Sequence, residues 1–155
     1  MIIELTAVEQ WLAEYIGQQR SSAARGANVR DAKMGQQDGV EADIMGMKAE
    51  LAAARHFGVY PDLTIGPRSG TADGTTRRGF HYDVKSTACT HGRLLCTLKD
   101  NPDIDFYVLA IVTGSTVDLA GWAWKWELRQ EARLADLGHG TGYAIPQPEL
   151  RAVRA

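Results

Sequence analysis

Three acidic residues and one lysine between positions 50 and 85 have the types and order that suit phosphodiester hydrolysis. Glu50 lies in GMKAELAAARHFG, Asp73 in TADG, and Asp83 and Lys85 in FHYDVKST. Carboxylates that converge from a helix and adjacent strands bind Mg²⁺ (or Mn²⁺), which prefers oxygen ligands and activates a bound water. A nearby lysine can position that water and offset negative charge in the transition state. These residues therefore predict a metal-dependent hydrolase.

Glu50 has an unusual place on the helix predicted over residues 40–57. On a helical wheel, Ala54 and Phe57 fall close to Glu50, whereas Lys48 lies on the far side. The carboxylate therefore points toward the core, which is costly unless it is paired with a cation. Two explanations stay open: Glu50 faces a metal site, or it forms an ion pair with a basic residue in the core.

The acid and the lysine of the strand predicted at Phe80–Lys85 share one face. Period-two alternation places Tyr82 on the apolar face and His81, Asp83 and Lys85 on the opposite one. The pair could belong to a catalytic site or to a solvated strand face. Asp73 can return near Asp83 if residues 66–79 lead into this strand as a hairpin, although Asp-Gly is also a common turn pair.

The order of these motifs resembles the core of the PD-(D/E)xK nuclease superfamily, the restriction-endonuclease-like proteins. The resemblance covers residues 40–130 and includes the later segment DFYVLAIVTGSTVDLAGWAWKWEL. It is closest to small phage-type members with a DVKST motif. It implies a mixed central β-sheet flanked by helices and divalent-metal-dependent cleavage of DNA or, less often, RNA. The expected class is an endonuclease.

The resemblance also implies a role for each matching residue. Asp73 and Asp83 would bind the metal with the carbonyl of Val84, Lys85 would position the attacking water, and Glu50 would be a further ligand or a neighbour of the ligands. Ala72 stands where the family motif has proline. The literal Pro61-Asp62 pair makes Asp62 a rival of Asp73 for the first acid, and the shorter hairpin favours Asp73.

Further polar and aromatic residues near these motifs could contact nucleic acid. The hydroxyls of Ser86 and Thr87 could touch a phosphate or simply end the strand. Trp122, Trp124 and Trp126 could stack on bases, although the alternation of Trp122 and Trp124 favours a core or subunit interface. The basic residues expected to bind phosphates, unless they belong to a solvated loop, are Arg68, Arg77, Arg78 and Arg93, and Lys99 is expected to face phosphate with them.

The flanking segments predict mixed α and β structure around one sheet. Thr6 and Glu9 form a capping-box pattern at the start of a helix over residues 4–19. Polar residues 20–39 predict a flexible or partly helical arm. Four strand candidates and a C-terminal helix complete the pattern, and the final GHGTGYAIPQPEL predicts an irregular tail. The strand candidates outside FHYDVK are Leu63–Ile65, Leu94–Leu98, Ile104–Val112 and Val117–Trp124, and the helix is Trp126–Leu137.

Length and composition indicate the domain number and the cellular location of the protein. The 155 residues suit a single domain, with an N-terminal helix and arm at 1–39, a core at 40–130 and a packed tail at 131–155. Two cysteines and an N-terminal segment interrupted by glutamates predict an intracellular, cytoplasmic protein without a leader or membrane span. The expected partner is nucleic acid, with DNA favoured, and a homodimer is possible.

Charge excludes a polybasic protein but not a local phosphate site. The chain has 17 basic and 19 acidic residues, a net charge of −2. Residues 60–100 contain 6 basic and 4 acidic residues, which leaves a net charge of +2, while both flanking segments are net negative. Residues 20–33 add a further +3. A catalytically silent member that binds nucleic acid or protein through the same fold is the alternative function.

Overall fold

The computed structural model describes residues 1–26, 39–66, 71–138 and 140–154. It has a mixed α+β fold, as predicted, with two N-terminal helices, a curled five-stranded sheet and a second three-stranded sheet. In chain order the elements are β1 (Ile2–Glu4), α1 (Ala7–Gly26), α2 (Gly39–Phe57), β2 (Gly74–Thr75), β3 (His81–Thr87), β4 (Leu94–Thr97), β5 (Phe106–Thr113), β6 (Thr116–Trp124), α3 (Lys125–Leu128), β7 (Leu134–Asp136) and β8 (Thr141–Ile145).

The larger sheet has the strand order β1-β6-β5-β3-β2. β3 and β5 are parallel, and the other neighbouring strands are antiparallel. Every residue of β5 except Thr113 is buried, as its unbroken apolar run predicts. β4, β8 and β7 form the smaller sheet.

Helix α2 covers one face of the larger sheet. Met47 and Leu51 of the helix share a buried cluster with Tyr82 and Val84 of β3 and with Val108 of β5. On the other face, residues of β5 pack with β4, α3 and β8 in a second cluster. β5 is therefore packed on both faces, and β3 beside it is packed on the face that meets α2.

Helix α1 begins as predicted but is longer than predicted. The capping box is confirmed, because the Thr6 amide donates to Glu9 Oε2 at 2.7 Å and the Glu9 amide donates to Thr6 Oγ1 at 3.2 Å. The helix continues to Gly26, through the first part of the predicted arm, and residues 27–38 of that arm lie outside the described residues. At Gly17 a Cβ atom would come within 2.7 Å of Ile44 Cα, so the absence of a side chain allows α1 and α2 to approach closely.

Three predictions about local structure are wrong. Leu63–Ile65 is not a strand, because side chains of Asp62 and Arg20 bind the amide and carbonyl of Thr64. The C-terminal helix is limited to α3, since Gln130 has an extended conformation and a 3₁₀ turn and β7 follow. The tail predicted to be irregular contains β8, which pairs with β4 and β7, and its Gly142 weakens the strand pattern in the sequence.

None of the helices in these described ranges is long and apolar enough to cross a membrane. Cys89 is exposed, Cys96 is buried, and both are free thiols.

Candidate active site at the edge of the sheet

The hairpin of β2 and β3 holds Asp73 against the strand that carries Asp83. The amide of Asp73 donates to the carbonyl of Tyr82 at 2.9 Å. Its Oδ2 accepts a hydrogen bond from the amide of Val84 at 2.8 Å. These two bonds lie on either side of Asp83 in the sequence, so the two acids that the sequence selected are brought together at this sheet edge.

Asp83 and Lys85 point to the same face of β3 and form an ion pair. Lys85 Nζ is 2.7 Å from Asp83 Oδ1, and the two side chains are 33% and 19% exposed. The contact lacks hydrogen-bond alignment, so Asp83 Oδ1 is a buried oxygen without a hydrogen-bond partner among the described residues. The ammonium also lies 5.8 Å from the ring centroid of Tyr107, on the β5 side. An acid and a protonatable amine thus share a partly open site.

The carboxyl group of Asp73 is strongly perturbed. Burial, followed by the nearby charges of Glu50 and Asp83, raises the pKa of Asp73 to about 8, although the Val84 amide and Lys85 act in the opposite direction. A cation at this position would relieve that repulsion, because an opposite charge favours the ionised carboxylate. The site is therefore electrostatically suited to a cation.

Lys85 keeps its proton in this environment. Burial lowers the pKa of Lys85. The charge of Asp83, the contact with it and the charge of Asp73 raise that pKa by more than burial lowers it, so the net shift is upward. A lysine with a raised pKa acts as a positive charge rather than as a proton acceptor near neutral pH. It can therefore position a water molecule or stabilise a phosphoryl oxygen, but it is not suited to the role of general base.

Glu50 makes the core ion pair that the sequence left open as an alternative. Its Oε2 accepts a hydrogen bond from Arg20 Nη1 at 2.9 Å, and the side chains are only 12% and 10% exposed. Arg20 also donates to the carbonyl of Asp62 at 2.6 Å and to that of Thr64 at 3.1 Å. Glu50 still influences the pKa of Asp73, so it is a neighbour of the two acids on β2–β3.

Arg20 is a residue that sequence reasoning missed, because it was placed in the basic arm. The signal was present in the spacing: Arg20 follows Ile16 by four residues and Gly17 by three, and both of these are buried. Residues at these intervals lie on the same helix face. Arg20 therefore belongs to the buried side of α1.

Asp62, the alternative to Asp73 as the first acid of the motif, lies in the loop that follows α2. Its Oδ1 accepts a hydrogen bond from the Thr64 amide at 2.8 Å, which forms a local turn. Its carbonyl is bound by Arg20. Asp73, in contrast, is bonded directly to β3, so the geometry favours Asp73 as the partner of Asp83.

Tyr82 is the second residue that sequence reasoning missed, since alternation assigned it only to the apolar face. Its Oη is buried without a hydrogen-bond partner in the described ranges. Burial, then the charges of Asp73 and Glu50, raises the pKa of this phenol. A Cβ atom at Gly74 would overlap the Tyr82 hydroxyl, so a glycine is needed to leave it space. A buried donor thus lies beside the acids.

The donor set fits a metal such as Mg²⁺ through two acids rather than three. Within the ranges that the structure describes, no three His, Cys, Asp or Glu side chains form a metal-binding group. Asp73 and Asp83 remain a pair, and the Asp83 Oδ1 atom that contacts Lys85 has no hydrogen-bond partner among the described residues. Because the amide and carbonyl of one residue lie on the same side of an extended strand, the Val84 carbonyl faces the same edge as Asp73. Mg²⁺ commonly takes few protein oxygens and retains several waters.

The residues after Lys85 lie at the end of β3. Thr87 Oγ1 accepts a hydrogen bond from the amide of Cys89 at 3.1 Å, which is the strand-ending role considered for it. Ser86 is partly exposed and Arg93 is exposed. His81 lies at the other end of the strand, with Nδ1 2.9 Å from the carbonyl of Asp103.

The remaining predicted phosphate-binding arginines lie on the α2 side of the sheet, opposite to the face of Asp83 and Lys85, or outside the described residues. Arg68 is outside them. Arg77 Nε donates to the carbonyl of Gly58, the residue with positive φ that ends α2, at 3.0 Å. Arg78 is exposed. Both Arg77 and Arg78 line an aromatic cleft on the α2 face of the sheet together with Trp122 and Trp124.

Comparisons with known proteins do not identify this chain. No family model matches it, and neither the curated proteins nor the solved structures include a significant match.

Proposed function

We propose that this protein is a divalent-metal-dependent nuclease, with DNA as the favoured substrate, that cleaves internal phosphodiester bonds. The observation that carries the proposal is the juxtaposition of Asp73 with the Asp83-Val84-Lys85 segment across the β2–β3 hairpin. It agrees with the resemblance to PD-(D/E)xK nucleases, in which the same residue types act together.

The two aspartates and the Val84 carbonyl would hold the ion. A bound Mg²⁺ or Mn²⁺ supplies positive charge against the phosphoryl oxygens and acidifies water. Asp73 and Asp83 would hold this charge beside β3. Lys85, protonated because of its acidic neighbours, contributes a donor to the attacking water or to the phosphate.

A catalytically silent nucleic-acid-binding or protein-interaction module is a second candidate. The observation that favours it is that Lys85 and Glu50 are each paired within the protein: Lys85 contacts Asp83, and Glu50 contacts Arg20. In a silent module these pairs would persist, whereas in a nuclease the Lys85–Asp83 contact loosens when a cation and a phosphate enter.

Cleavage of plasmid and single-stranded DNA in Mn²⁺ or Mg²⁺, with EDTA as the blank, distinguishes the candidates. We expect Lys85→Met to reduce the rate by about 10²-fold or more, since it removes a preorganised charge. Lys48→Met, at a lysine of α2 whose ammonium binds the carbonyl of Gly114, is the matched control. Equal activity of wild type and Lys85→Met, or no cleavage by wild type on any substrate, would refute the nuclease.

Metal binding supplies a readout that does not depend on turnover. Titration calorimetry with Mn²⁺ should show binding that Asp73→Asn and Asp83→Asn each weaken strongly. Glu50→Gln separates the two explanations of that residue: a weakened affinity identifies a ligand, and an unchanged affinity identifies a structural partner of Arg20. Metal binding without cleavage would support the silent module.

A further inference from the structure

A cleft of about 410 Å³ lies on the α2 face of the larger sheet, beyond the C-terminal end of that helix. Its walls are aromatic, and the charged residues that line it are basic. None of the described residues lining it is acidic. The six side chains that matter here are Phe80, Trp122, Trp124, Arg77, Arg78 and Arg154.

The aromatic walls present ring surface to the cleft. Phe80 is 42% exposed, which is high for a large apolar side chain beside a core. It meets Trp124 edge-on, with ring centroids 5.4 Å apart and an interplanar angle of 67°. Trp124 meets Trp122 at 5.2 Å and 85°. In an edge-on contact one ring presents its edge to a face of the other, and the guanidinium of Arg151 also lies 5.4 Å from the centroid of the Trp122 ring. Phe80, the most exposed of the three rings, is therefore the one that can stack on another flat group.

The arginines supply charge that has no acidic counterpart in the cleft. Arg78 and Arg154 are exposed, whereas Arg77 is fixed by its bond to the Gly58 carbonyl. Aromatic surface for bases combined with arginines for phosphates is the combination that binds single-stranded nucleic acid. An acidic peptide could pair with the arginines, but it would make fewer contacts with a cleft lined by five phenylalanine and tryptophan rings.

The cleft and the proposed active site share one hairpin. Phe80 precedes Asp83 by three residues, a separation of roughly 10 Å along an extended strand. Tyr82 and Val84 pack under α2, so Asp83 and Lys85 point to the opposite face. The sheet ends here at β2, which has only two residues. A flexible single strand can pass around such an edge more readily than a rigid duplex.

We propose that this cleft binds an unpaired base of single-stranded nucleic acid, with the neighbouring phosphates on Arg78 and Arg154. The inference rests on the proposed function for its choice of nucleic acid, and it specifies the substrate as a single strand or an unpaired end. Phe80 provides the stacking surface, and the hairpin connects the bound base to the two aspartates.

Binding is measured without cleavage, in EDTA and in a Lys85→Ala background, by fluorescence anisotropy of a labelled single strand of about twelve nucleotides. An abasic strand of equal length retains the phosphates and lacks the bases. We expect Phe80→Ala to weaken binding of the normal strand about tenfold and to leave the abasic strand within about twofold. Trp11→Ala, at an exposed aromatic residue of α1, is the matched control and should have no effect.

Arg78→Gln tests the phosphate contact independently of stacking. It should weaken binding of both strands and reduce the slope of log affinity against log salt concentration by about 0.7, the value for one phosphate contact on a single strand. Arg25→Gln, at an exposed arginine outside the cleft, is the control and should leave the slope unchanged. Thermal melting of each variant verifies that it is folded.

The outcomes separate this inference from the proposed function. If metal-dependent cleavage needs Lys85 but Phe80→Ala does not alter binding, the proposed base-binding role of the cleft is wrong and the proposed nuclease activity stands. If base-dependent binding needs Phe80 but no cleavage is observed, the base-binding role of the cleft stands and the proposed nuclease activity is wrong. Three results would overturn the inference. Phe80→Ala could weaken the binding of the normal and the abasic strand equally, or weaken the binding of a duplex as much as that of the single strand. A polyglutamate peptide could bind through Phe80 more tightly than the single strand does.

Discussion

Replacing Asp73 by asparagine tests the geometry of the site through stability alone. The asparagine Oδ1 can still accept the hydrogen bond that Val84 donates, so the variant removes the ionisable proton with little change of shape. The environment raises the pKa of Asp73 to about 8 from an ordinary value of 3.8. The folded chain therefore holds a proton on this residue over a pH range in which the unfolded chain has lost it.

The sign and size of the effect follow from this difference. Between pH 3.8 and about 8 the folded state binds one more proton than the unfolded state, so the free energy of unfolding falls as the pH rises. The slope is about 1.4 kcal/mol per pH unit, which accumulates to roughly 6 kcal/mol at most over the whole interval. Asp73→Asn should therefore match wild type near pH 4 and be more stable by several kcal/mol near pH 8.

Urea denaturation in EDTA across this pH range measures the difference. Asp103→Asn, which removes an exposed carboxylate, is the matched control and should retain the wild-type slope. Adding Mg²⁺ at the upper end of the range should stabilise wild type and not Asp73→Asn, since a ligand that binds only the folded state adds to stability by mass action.

Parallel stability curves for wild type and Asp73→Asn would refute the electrostatic reasoning. They would mean that Asp73 ionises at its ordinary pKa in the folded chain and that water or rearrangement screens it from Glu50 and Asp83. A steep difference without a Mg²⁺ effect would retain the buried carboxyl and contradict its role as a metal ligand.

Two further predictions concern stability. Arg20→Gln leaves the buried carboxylate of Glu50 without its cation, so urea denaturation should show a loss of about 3–5 kcal/mol; adding Glu50→Gln should restore part of it, and wild-type stability in the single variant would contradict the pairing. Thr6→Ala removes the hydroxyl that accepts the Glu9 amide and should cost about 1 kcal/mol, seen as a lower urea midpoint with an unchanged slope; an unchanged midpoint would show that the cap contributes nothing.

Local patterns predicted much of the fold. The uninterrupted apolar run of β5, the alternation of β3 and the glycine that ends α2 each depend on residues close in the chain, and each is found where expected. The errors occur where tertiary partners replace local signals. Thr64 has its backbone groups satisfied by Asp62 and Arg20, and β8 exists because β4 and β7 supply its hydrogen bonds.

The sequence by itself determined which chemistry this protein can contain: acids, a lysine on the same strand face as Asp83, and a glutamate on the inner side of a helix. Which of these groups meet was decided by the tertiary structure. Asp73 is held beside Asp83 by the hairpin, whereas Glu50 is paired with Arg20, thirty residues away in the chain. The reason is physical: strand faces and helix faces follow from short-range periodicity, but the free energy of a buried charge depends on whichever partner the fold brings within a few ångströms.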